Sequence, residues 1–238
     1  MGMYSCPCHK RCHTPSRSPE PTGFVVVIVD AYADGMAIPE PKKRYTPAEY
    51  YDLEDAAHYK SDYYQGEIFD MSGGTSTDSL ITMNVGGSLW SRLRDKPCTA
   101  YESNMRLKIE ATGLRTYPDA SVYCEKLKYD PEDPRKTTAL NPTVVIEVLS
   151  PTTEAYDRRI KAGSYRQVPT LKAYALVAQD RPHVELHVRQ PSGEWTIRDV
   201  AGLNATVRLD AISVELPLAE VYAGVDFTDD DVATPPAG

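Results

Sequence analysis

A short apolar segment that contains one carboxylate is the feature that most constrains the fold. Residues 144–149 read Val-Val-Ile-Glu-Val-Leu, so Glu147 is the only charged residue in a continuous apolar run. Strands with so little polarity usually lie inside a sheet that is covered on both faces. A carboxylate there costs several kcal/mol unless it is paired or binds a metal ion. We therefore predict a central strand and a functional carboxylate at Glu147, with a satisfied buried ion pair or a solvated strand end as alternatives.

The residues that follow predict a helix that returns over this strand, from about 150 to 167. Asp157, Lys161 and Tyr165 are spaced four residues apart, so they share one helix face. A rise of about 1.5 Å per residue along the helix and about 3.3 Å along the strand brings Lys161 to the level of Glu147. The alternative is that Asp157 and Lys161 form a surface ion pair of little energetic value.

A second carboxylate, Asp119, follows a proline at the predicted start of another strand. Taken alone, a Pro-Asp pair is more typical of a turn. Two carboxylates from neighbouring strands can, however, hold one hard divalent cation together with a backbone carbonyl and water. A nearby lysine can then orient the attacking water or neutralise charge that develops on phosphate. Asp119, Glu147 and Lys161 together indicate metal-dependent phosphodiester hydrolysis, with Mg²⁺ as the cofactor and Mn²⁺ as its expected substitute.

The rest of the pattern predicts a mixed α/β (α+β) fold, a sheet with helices on its faces. A capping box at Thr46 and Glu49 begins a helix that extends to about Tyr59. Apolar residues four apart predict a helix over 76–94. Alternation in Met-Arg-Leu-Lys-Ile predicts a half-buried strand over 105–109, and residues 125–141 are expected to form a loop. Further strands are expected at 115–123, 171–177, 184–188 and 195–197, and a last short helix at 216–222.

Charge and cysteine content exclude several classes of protein. The chain carries 26 basic and 34 acidic residues, a net charge of −8, which counts against coating nucleic acid by bulk charge but leaves room for a local basic cleft. Five cysteines, three of them within the first 12 residues, are not typical of a secreted disulfide framework, and a reducing cytoplasm fits better. No apolar run approaches the roughly 20 residues that a membrane-spanning helix needs, so we expect no membrane partner.

The two ends of the chain differ from the middle. Residues 1–40 are expected to be a disordered or non-native extension, 41–225 the folded domain and 226–238 an acidic disordered tail. Two alternatives concern the first segment. Cys6, Cys8, His9, Cys12 and His13 could ligate zinc. A six-residue apolar run before Ala31-Tyr-Ala33 is similar to a secretory signal but is short for one.

Three stretches carry a resemblance to a known family. They are Tyr-Tyr-Gln-Gly-Glu-Ile at 63–68, Tyr-Pro-Asp at 117–119 and the run from 145 to 161 that begins Val-Ile-Glu-Val-Leu-Ser-Pro-Thr-Thr. Together they resemble the bacterial Uma-two family of restriction-endonuclease-like proteins, over about 44–225. The resemblance implies a nuclease fold of the PD-(D/E)xK type, a restriction-endonuclease-like central mixed sheet flanked by helices.

The resemblance also implies roles for particular residues. Asp119 and Glu147 would bind the metal. The usual motif places its lysine where this chain has Leu149, and Lys161 on the following helix would replace it. An additional acid, Asp62 or Glu67, would complete the site, and Asp157 and Tyr165 would support it. Two family positions depart from the pattern, since Asp78 stands for a histidine and Asn104 for an aspartate.

The implied substrate is DNA, and many nucleases of this fold act as homodimers. Local positive charge would guide DNA to the site, and the candidates are Arg106, Lys108, Arg158, Arg159 and Arg166. The alternative hypothesis is that the protein has a catalytically degenerate nuclease fold that binds nucleic acid or a partner chain. The broken short motif and the net negative charge favour that alternative.

Overall fold

The computed structural model describes residues 43–71 and 73–227. The predictions for residues 1–40, including the zinc and signal alternatives, therefore lie outside the described residues, as does nearly all of the predicted tail. The ring of Phe227 still packs against Tyr222, with ring centroids 5.5 Å apart. The packed part of the chain thus continues past the predicted boundary at 225.

The described chain contains both helices and strands. In order, the elements are α1 (Pro47–Ala56), β1 (Ser61–Tyr64), β2 (Glu67–Asp70), α2 (Ser76–Leu93), β3 (Thr99–Glu102), β4 (Arg106–Lys108), β5 (Arg115–Thr116), β6 (Ala120–Tyr123), β7 (Thr138–Ala139), β8 (Val144–Leu149), α3 (Glu154–Tyr156), a π-helical segment (Asp157–Lys161), α4 (Ala162–Tyr165), β9 (Ala173–Ala178), β10 (His183–Arg189), β11 (Trp195–Ala201), β12 (Thr206–Leu209), a 3₁₀ turn (Asp210–Ile212), β13 (Val214–Pro217) and α5 (Leu218–Val221).

A six-stranded mixed sheet in the order β11-β10-β9-β8-β6-β3 forms the centre of the fold. β8 pairs parallel with β9 and antiparallel with β6. All six residues of β8 are buried, which confirms the central strand predicted from its apolar run. The mixed α/β class and the central mixed sheet flanked by helices are confirmed as well.

The two faces of β8 belong to different parts of the core. Val144, Ile146 and Val148 lie in the cluster that contains the buried face of α2. Val145 and Leu149 lie in the cluster that contains residues of α4. Because strand side chains alternate between faces, Glu147 points to the α4 side.

A five-stranded sheet in the order β2-β1-β5-β4-β7 lies beside α1. The capping box that was predicted at the start of α1 is present, since Thr46 accepts from the Glu49 amide and Glu49 accepts from the Thr46 amide. α1 ends at Ala56, three residues before the predicted end. Its buried Tyr50 and Tyr51 pack with Tyr63 of β1.

Several short elements differ from the sequence predictions. β7 lies within the predicted loop at 125–141. The last two residues of β13, which pairs with β12, fall in the last helix predicted at 216–222. Pro217 separates that strand from α5, since proline suits the entrance of a helix. Cys98 and Cys124 form a disulfide at the paired ends of β3 and β6, which the odd cysteine count did not predict. Within residues 43–71 and 73–227 there is no helix of the length and apolarity needed to cross a membrane.

Candidate active site

Glu147 lies on β8 with only 2% of its surface exposed. The Tyr165 hydroxyl donates to its Oε1 atom at 2.6 Å, and the Lys161 ammonium lies 3.3 Å from the same atom. The predicted approach of Lys161 to Glu147 is therefore present. Burial raises the pKa of Glu147 well above its usual range, against the lowering effect of Lys161.

Lys161 ends a π-helical segment that interrupts the returning helix. π-helical turns are rare in proteins overall, and those that do occur are often found at functional sites. The Lys161 ammonium also lies 3.2 Å from Asp157 Oδ1. Because Lys161 and Tyr165 both contact Glu147, the predicted shared face of the helix does meet the strand. Burial alone would lower the pKa of Lys161, but four surrounding carboxylates, that of Glu147 first, raise it well above its usual range. The lysine therefore stays protonated.

Asp119 directly precedes β6, the antiparallel neighbour of β8. Its Oδ2 atom accepts a hydrogen bond from the Val148 amide at 2.7 Å. This bond fixes the half-buried Asp119 carboxylate beside the residue that follows Glu147. Burial raises the pKa of Asp119, and the Val148 amide and then Lys161 act in the opposite direction. The two predicted metal-binding carboxylates thus stand on adjacent strands at one level.

Asp62 is the additional acid that the structure brings to this cluster. It is buried on β1, and its Oδ1 atom accepts no hydrogen bond. Burial raises its pKa, while Lys161 and the nearby hydroxyls of Thr116 and Tyr156 lower it. The other candidate, Glu67, lies on β2 and forms an ion pair with Arg44 at 3.1 Å.

Asp78, which entered the sequence analysis only as a departure from the family pattern, faces the same group of acids. It lies in the first turn of α2, where its amide donates to the Thr75 hydroxyl at 3.1 Å. Burial, then the charges of Asp119 and Asp157, raise its pKa to about 6. The sequence signal for Asp78 was its position in the first turn after the helix cap Thr75. An acid is common there, so this position suggests no chemistry by itself.

Tyr156 was missed for a similar reason, because a tyrosine in a helix is usually a packing residue.

One of the five predicted DNA-binding cations is buried and a second is partly buried and ion-paired, and this corrects the prediction for them. Arg106 is 4% exposed, and its Nε donates to the Tyr117 hydroxyl at 2.8 Å. Lys108 forms ion pairs with Asp130 at 2.8 Å and with Glu132. The alternation along β4 predicted that both side chains point towards solvent, but α1 and the loop after β6 cover that side of the sheet.

The other three predicted cations lie around the returning helix. Arg158 is held between Glu154 at 2.7 Å and Glu185 at 2.9 Å. The Arg166 guanidinium is 2.9 Å from His187 Nδ1 and is exposed. Arg159 is exposed too. The positive charge that a phosphate could meet near the site is therefore small.

The charge balance of the cluster bears on the predicted metal. Four acids, Asp62, Asp119, Glu147 and Asp157, act on the single ammonium of Lys161. Among the described residues, no group of three or more His, Cys, Asp or Glu side chains is arranged to hold a metal ion. The excess of buried acid and the unpartnered Asp62 oxygen nevertheless fit a divalent cation held by two carboxylates, with a backbone carbonyl and water completing its shell.

Comparison with known proteins gives one family match and two similar sequences. A family model named Uma2 and described as "Putative restriction endonuclease" matches residues 47–219. Uncharacterized protein slr1290 of Synechocystis sp. is 33% identical over 190 residues, which cover 79% of this chain and 96% of that protein. Uncharacterized protein sll1609 of the same organism is 30% identical over 179 residues, 75% of this chain and 100% of that protein.

A solved structure shares the fold. It is described as a "putative nuclease belonging to DUF820" from Anabaena variabilis and superposes with a TM-score of 0.60, covering 74% of this chain and 97% of that one. The sequence identity is 17%. At that identity the likeness concerns the fold alone.

Proposed function

This chain belongs to the Uma2 family, described as "Putative restriction endonuclease", and from that premise we propose that it is an endonuclease that hydrolyses DNA phosphodiester bonds with Mg²⁺ or Mn²⁺. The observation that carries the proposal is that Asp119, just before β6, and Glu147 on β8 lie at one level, with the Lys161 ammonium 3.3 Å from Glu147. A purely structural ion pair would need one carboxylate for one lysine, and here four acids surround it.

Each side chain of the cluster has a part in the proposed mechanism. Asp119 and Glu147 would hold the metal, which supplies a Lewis acid for the phosphate oxygen and lowers the pKa of water. The Val148 amide fixes Asp119, and the Tyr165 hydroxyl fixes Glu147. Because Lys161 stays protonated, it acts as a donor that orients water or stabilises charge developing on the phosphoryl oxygens, and it does not act as a general base.

Asp62 and Asp157 support the lysine. Both are buried and both raise the pKa of Lys161, so they keep its ammonium charged inside the protein. Asp62 is also the nearest candidate for a further metal contact, since its Oδ1 atom accepts no hydrogen bond.

The test is a plasmid-nicking assay at low salt with Mn²⁺ and then with EDTA. We expect nicking by the wild type that needs metal and that falls by at least about 100-fold in Glu147→Gln and in Lys161→Ala. Lys172→Ala is the matched control, because Lys172 is an exposed lysine next to β9. Metal-dependent nicking that survives both site substitutions would refute the assignment.

A second function, a nuclease fold that binds nucleic acid or a partner without cutting it, is favoured by one observation. Lys161 lies within ion-pair distance of Glu147 Oε1, and it thereby occupies a carboxylate oxygen that a metal would use. Calorimetric titration with Mn²⁺ distinguishes the two functions. Heat of binding that disappears in Asp119→Asn supports the enzyme, and no binding by the folded wild type supports the binding module.

A further inference from the structure

An exposed aromatic ring lies at the edge of the acid cluster. Phe69 is on β2, the edge strand of the five-stranded sheet, and 40% of its surface is exposed. In the pairing of β1 with β2, its partner is Asp62, the buried additional acid. Residues directly opposite each other in antiparallel strands point to the same face, so the Phe69 ring lies on the side of the hairpin that carries the Asp62 carboxylate.

A second ring links Phe69 to the lysine of the cluster. The Tyr156 ring centroid lies 6.1 Å from that of Phe69, and the Lys161 ammonium lies 5.9 Å from the Tyr156 centroid. The Tyr156 hydroxyl is buried and is close enough to Asp62 to lower the pKa of that acid. The two rings therefore extend from the Lys161 ammonium to solvent, and we call Phe69 and Tyr156 the aromatic edge of the site.

Phenylalanine is an unusual residue for this position. The chain has 16 tyrosines and only three phenylalanines, and exposed positions such as Tyr59 and Tyr129 carry tyrosine, whose hydroxyl suits contact with water. Of the two phenylalanines in the described ranges, Phe227 packs against Tyr222. A lone exposed apolar residue is common on protein surfaces, but Phe69 presents a wholly apolar ring beside buried acids. That position favours contact with a flat apolar group of the substrate.

The charge around the site indicates which substrate offers such a group. Arg106 is buried, Lys108 is ion-paired and Arg158 is held by two glutamates. Arg159 and Arg166 are the exposed cations among those predicted to meet phosphate. A duplex keeps its base faces stacked inside, so a protein binds it largely through phosphate contacts. An unpaired strand exposes its base faces, which stack on aromatic side chains with little dependence on sequence. The small positive charge and the exposed ring together favour an unpaired strand.

We propose that the aromatic edge is a base-stacking subsite and that the substrate is a DNA strand that is unpaired at the scissile phosphate. This inference rests on the proposed function and adds the class of substrate to it. A base next to the scissile phosphate would stack on Phe69, while the phosphate lies at Lys161 and the metal-binding carboxylates. Negative supercoiling favours strand separation, so a supercoiled plasmid offers unpaired segments, and the nicking expected above agrees with this substrate.

The first experiment measures binding by fluorescence anisotropy, with the full chain carrying Glu147→Gln in Ca²⁺ to suppress cutting. The probes are a labelled single strand, the same strand without its central bases, and the same strand annealed to its complement. We expect the intact single strand to bind best. We expect Phe69→Ala to weaken that binding by about 5- to 100-fold, because one stacked base contributes a factor of this size. The strand without its central bases should bind equally well with and without this substitution.

Matched variants distinguish the aromatic face of Phe69 from its apolar bulk. Phe69→Trp should keep the tight binding because it keeps an aromatic face, whereas Phe69→Leu should lose it. Ile197→Ala is the control, since Ile197 is an apolar residue that is 53% exposed on β11, the edge strand of the six-stranded sheet. A duplex that binds more tightly than the single strand overturns the proposal. An equal loss of affinity for the strands with and without central bases overturns it too.

Cleavage kinetics with Mn²⁺ tests whether Phe69 contacts the substrate or only supports Tyr156 and Lys161. We expect Phe69→Ala to raise KM for the single strand and to leave kcat within about 2-fold, since stacking would bind the substrate and the transition state alike. A fall in kcat with KM unchanged would assign Phe69 a structural role and would overturn the stacking subsite.

The same measurements separate this inference from the proposed function. Metal-dependent cleavage with no preference for unpaired DNA and no dependence on Phe69 would leave the endonuclease assignment intact and overturn the stacking subsite. Base-dependent binding through Phe69, without cleavage of any DNA by the wild type, would support the subsite and overturn the endonuclease assignment.

Discussion

At the scale of single residues, the fold depends on how four acids and one lysine share a small buried volume. Glu147, Asp157 and Lys161 are each at most 5% exposed. A buried ion pair that loses one member leaves an uncompensated charge, which is more destabilising than the pair was stabilising. Lys161 is the sole cation within ion-pair distance of Glu147 or Asp157 in the described part of the chain, so its loss affects more than catalysis.

The first prediction concerns stability in a metal-free buffer. Lys161→Met keeps the unbranched apolar stem but removes the ammonium charge, and we expect it to lower the free energy of unfolding by about 3–5 kcal/mol near neutral pH. The loss should shrink as the pH falls, because the buried carboxyls, whose pKa values are already raised, take up protons. Urea denaturation with EDTA across a pH series measures it. A loss that is the same at every pH would mean that the charge balance is not the cause.

The second prediction concerns Asp78, whose pKa is raised from 3.8 to about 6. A raised pKa means that the folded state favours the protonated acid, so its contribution is present below about 3.8 and is lost as the pH rises through about 6. Asp78→Asn cannot ionise. We therefore expect its Tm to exceed that of the wild type above about pH 6 and to match it near pH 4.

Thermal melts in EDTA across that range give the comparison. Asp95→Asn is the matched control, since it changes an exposed aspartate just beyond the other end of α2. A Tm difference for Asp78→Asn that does not vary with pH would contradict the prediction.

At the scale of elements, the sequence patterns predicted those helices and strands that are long and strongly periodic. The apolar run of β8 and the four-residue spacing of α2 each have an unambiguous period, and both elements formed as predicted. β7 has two residues, too few for any period to be seen. The single strand predicted over 115–123 is two strands, β5 and β6, which belong to different sheets. The π-helical segment was also beyond prediction, because the sequence of the returning helix carries no sign of where its hydrogen bonding changes.

The contacts between elements explain which site residues were predictable. Glu147 stood out because a charge within an apolar strand is costly, and Lys161 followed from the helix period. Arg106 was wrongly predicted to contact DNA. Alternation along a strand shows which side chains lie opposite the apolar face, but not whether another element covers those side chains. Three tyrosine rings, each about 5 Å from the Arg106 guanidinium, cover it here.

The third prediction uses the two glycines of α2. We expect Gly86→Ala and Gly87→Ala each to raise the free energy of unfolding by about 1 kcal/mol, since the added Cβ meets open space in a helix. Urea denaturation measures the effect. Ser91→Ala, at an exposed position of the same helix, is the control, because a change from serine to alanine gains less helix propensity than a change from glycine. A free energy of unfolding that is unchanged in both glycine variants would contradict the prediction.

At the scale of the whole molecule, charge governs how nucleic acid can be reached. The net charge is −8, and the basic residues around the cluster are largely engaged by acids of the same chain. Duplex binding through phosphates depends on cations that can displace counterions. Under the proposed function, DNA would therefore be bound through few phosphate contacts, and the exposed Arg159 and Arg166 are the remaining candidates among the five predicted.

The last prediction follows from that count. With two phosphate contacts, the logarithm of the DNA association constant should fall with the logarithm of salt concentration with a slope of about −2. Arg159→Ala should reduce the slope by about 1, whereas Arg198→Ala, an exposed arginine on β11, should leave it unchanged. Fluorescence anisotropy of a short duplex, with Glu147→Gln and Ca²⁺ to suppress cutting, gives the slope. A slope several times steeper would show that a larger basic surface meets the DNA. In that case the ion pairs around the cluster, such as Arg158 with Glu185, would have to open when DNA binds.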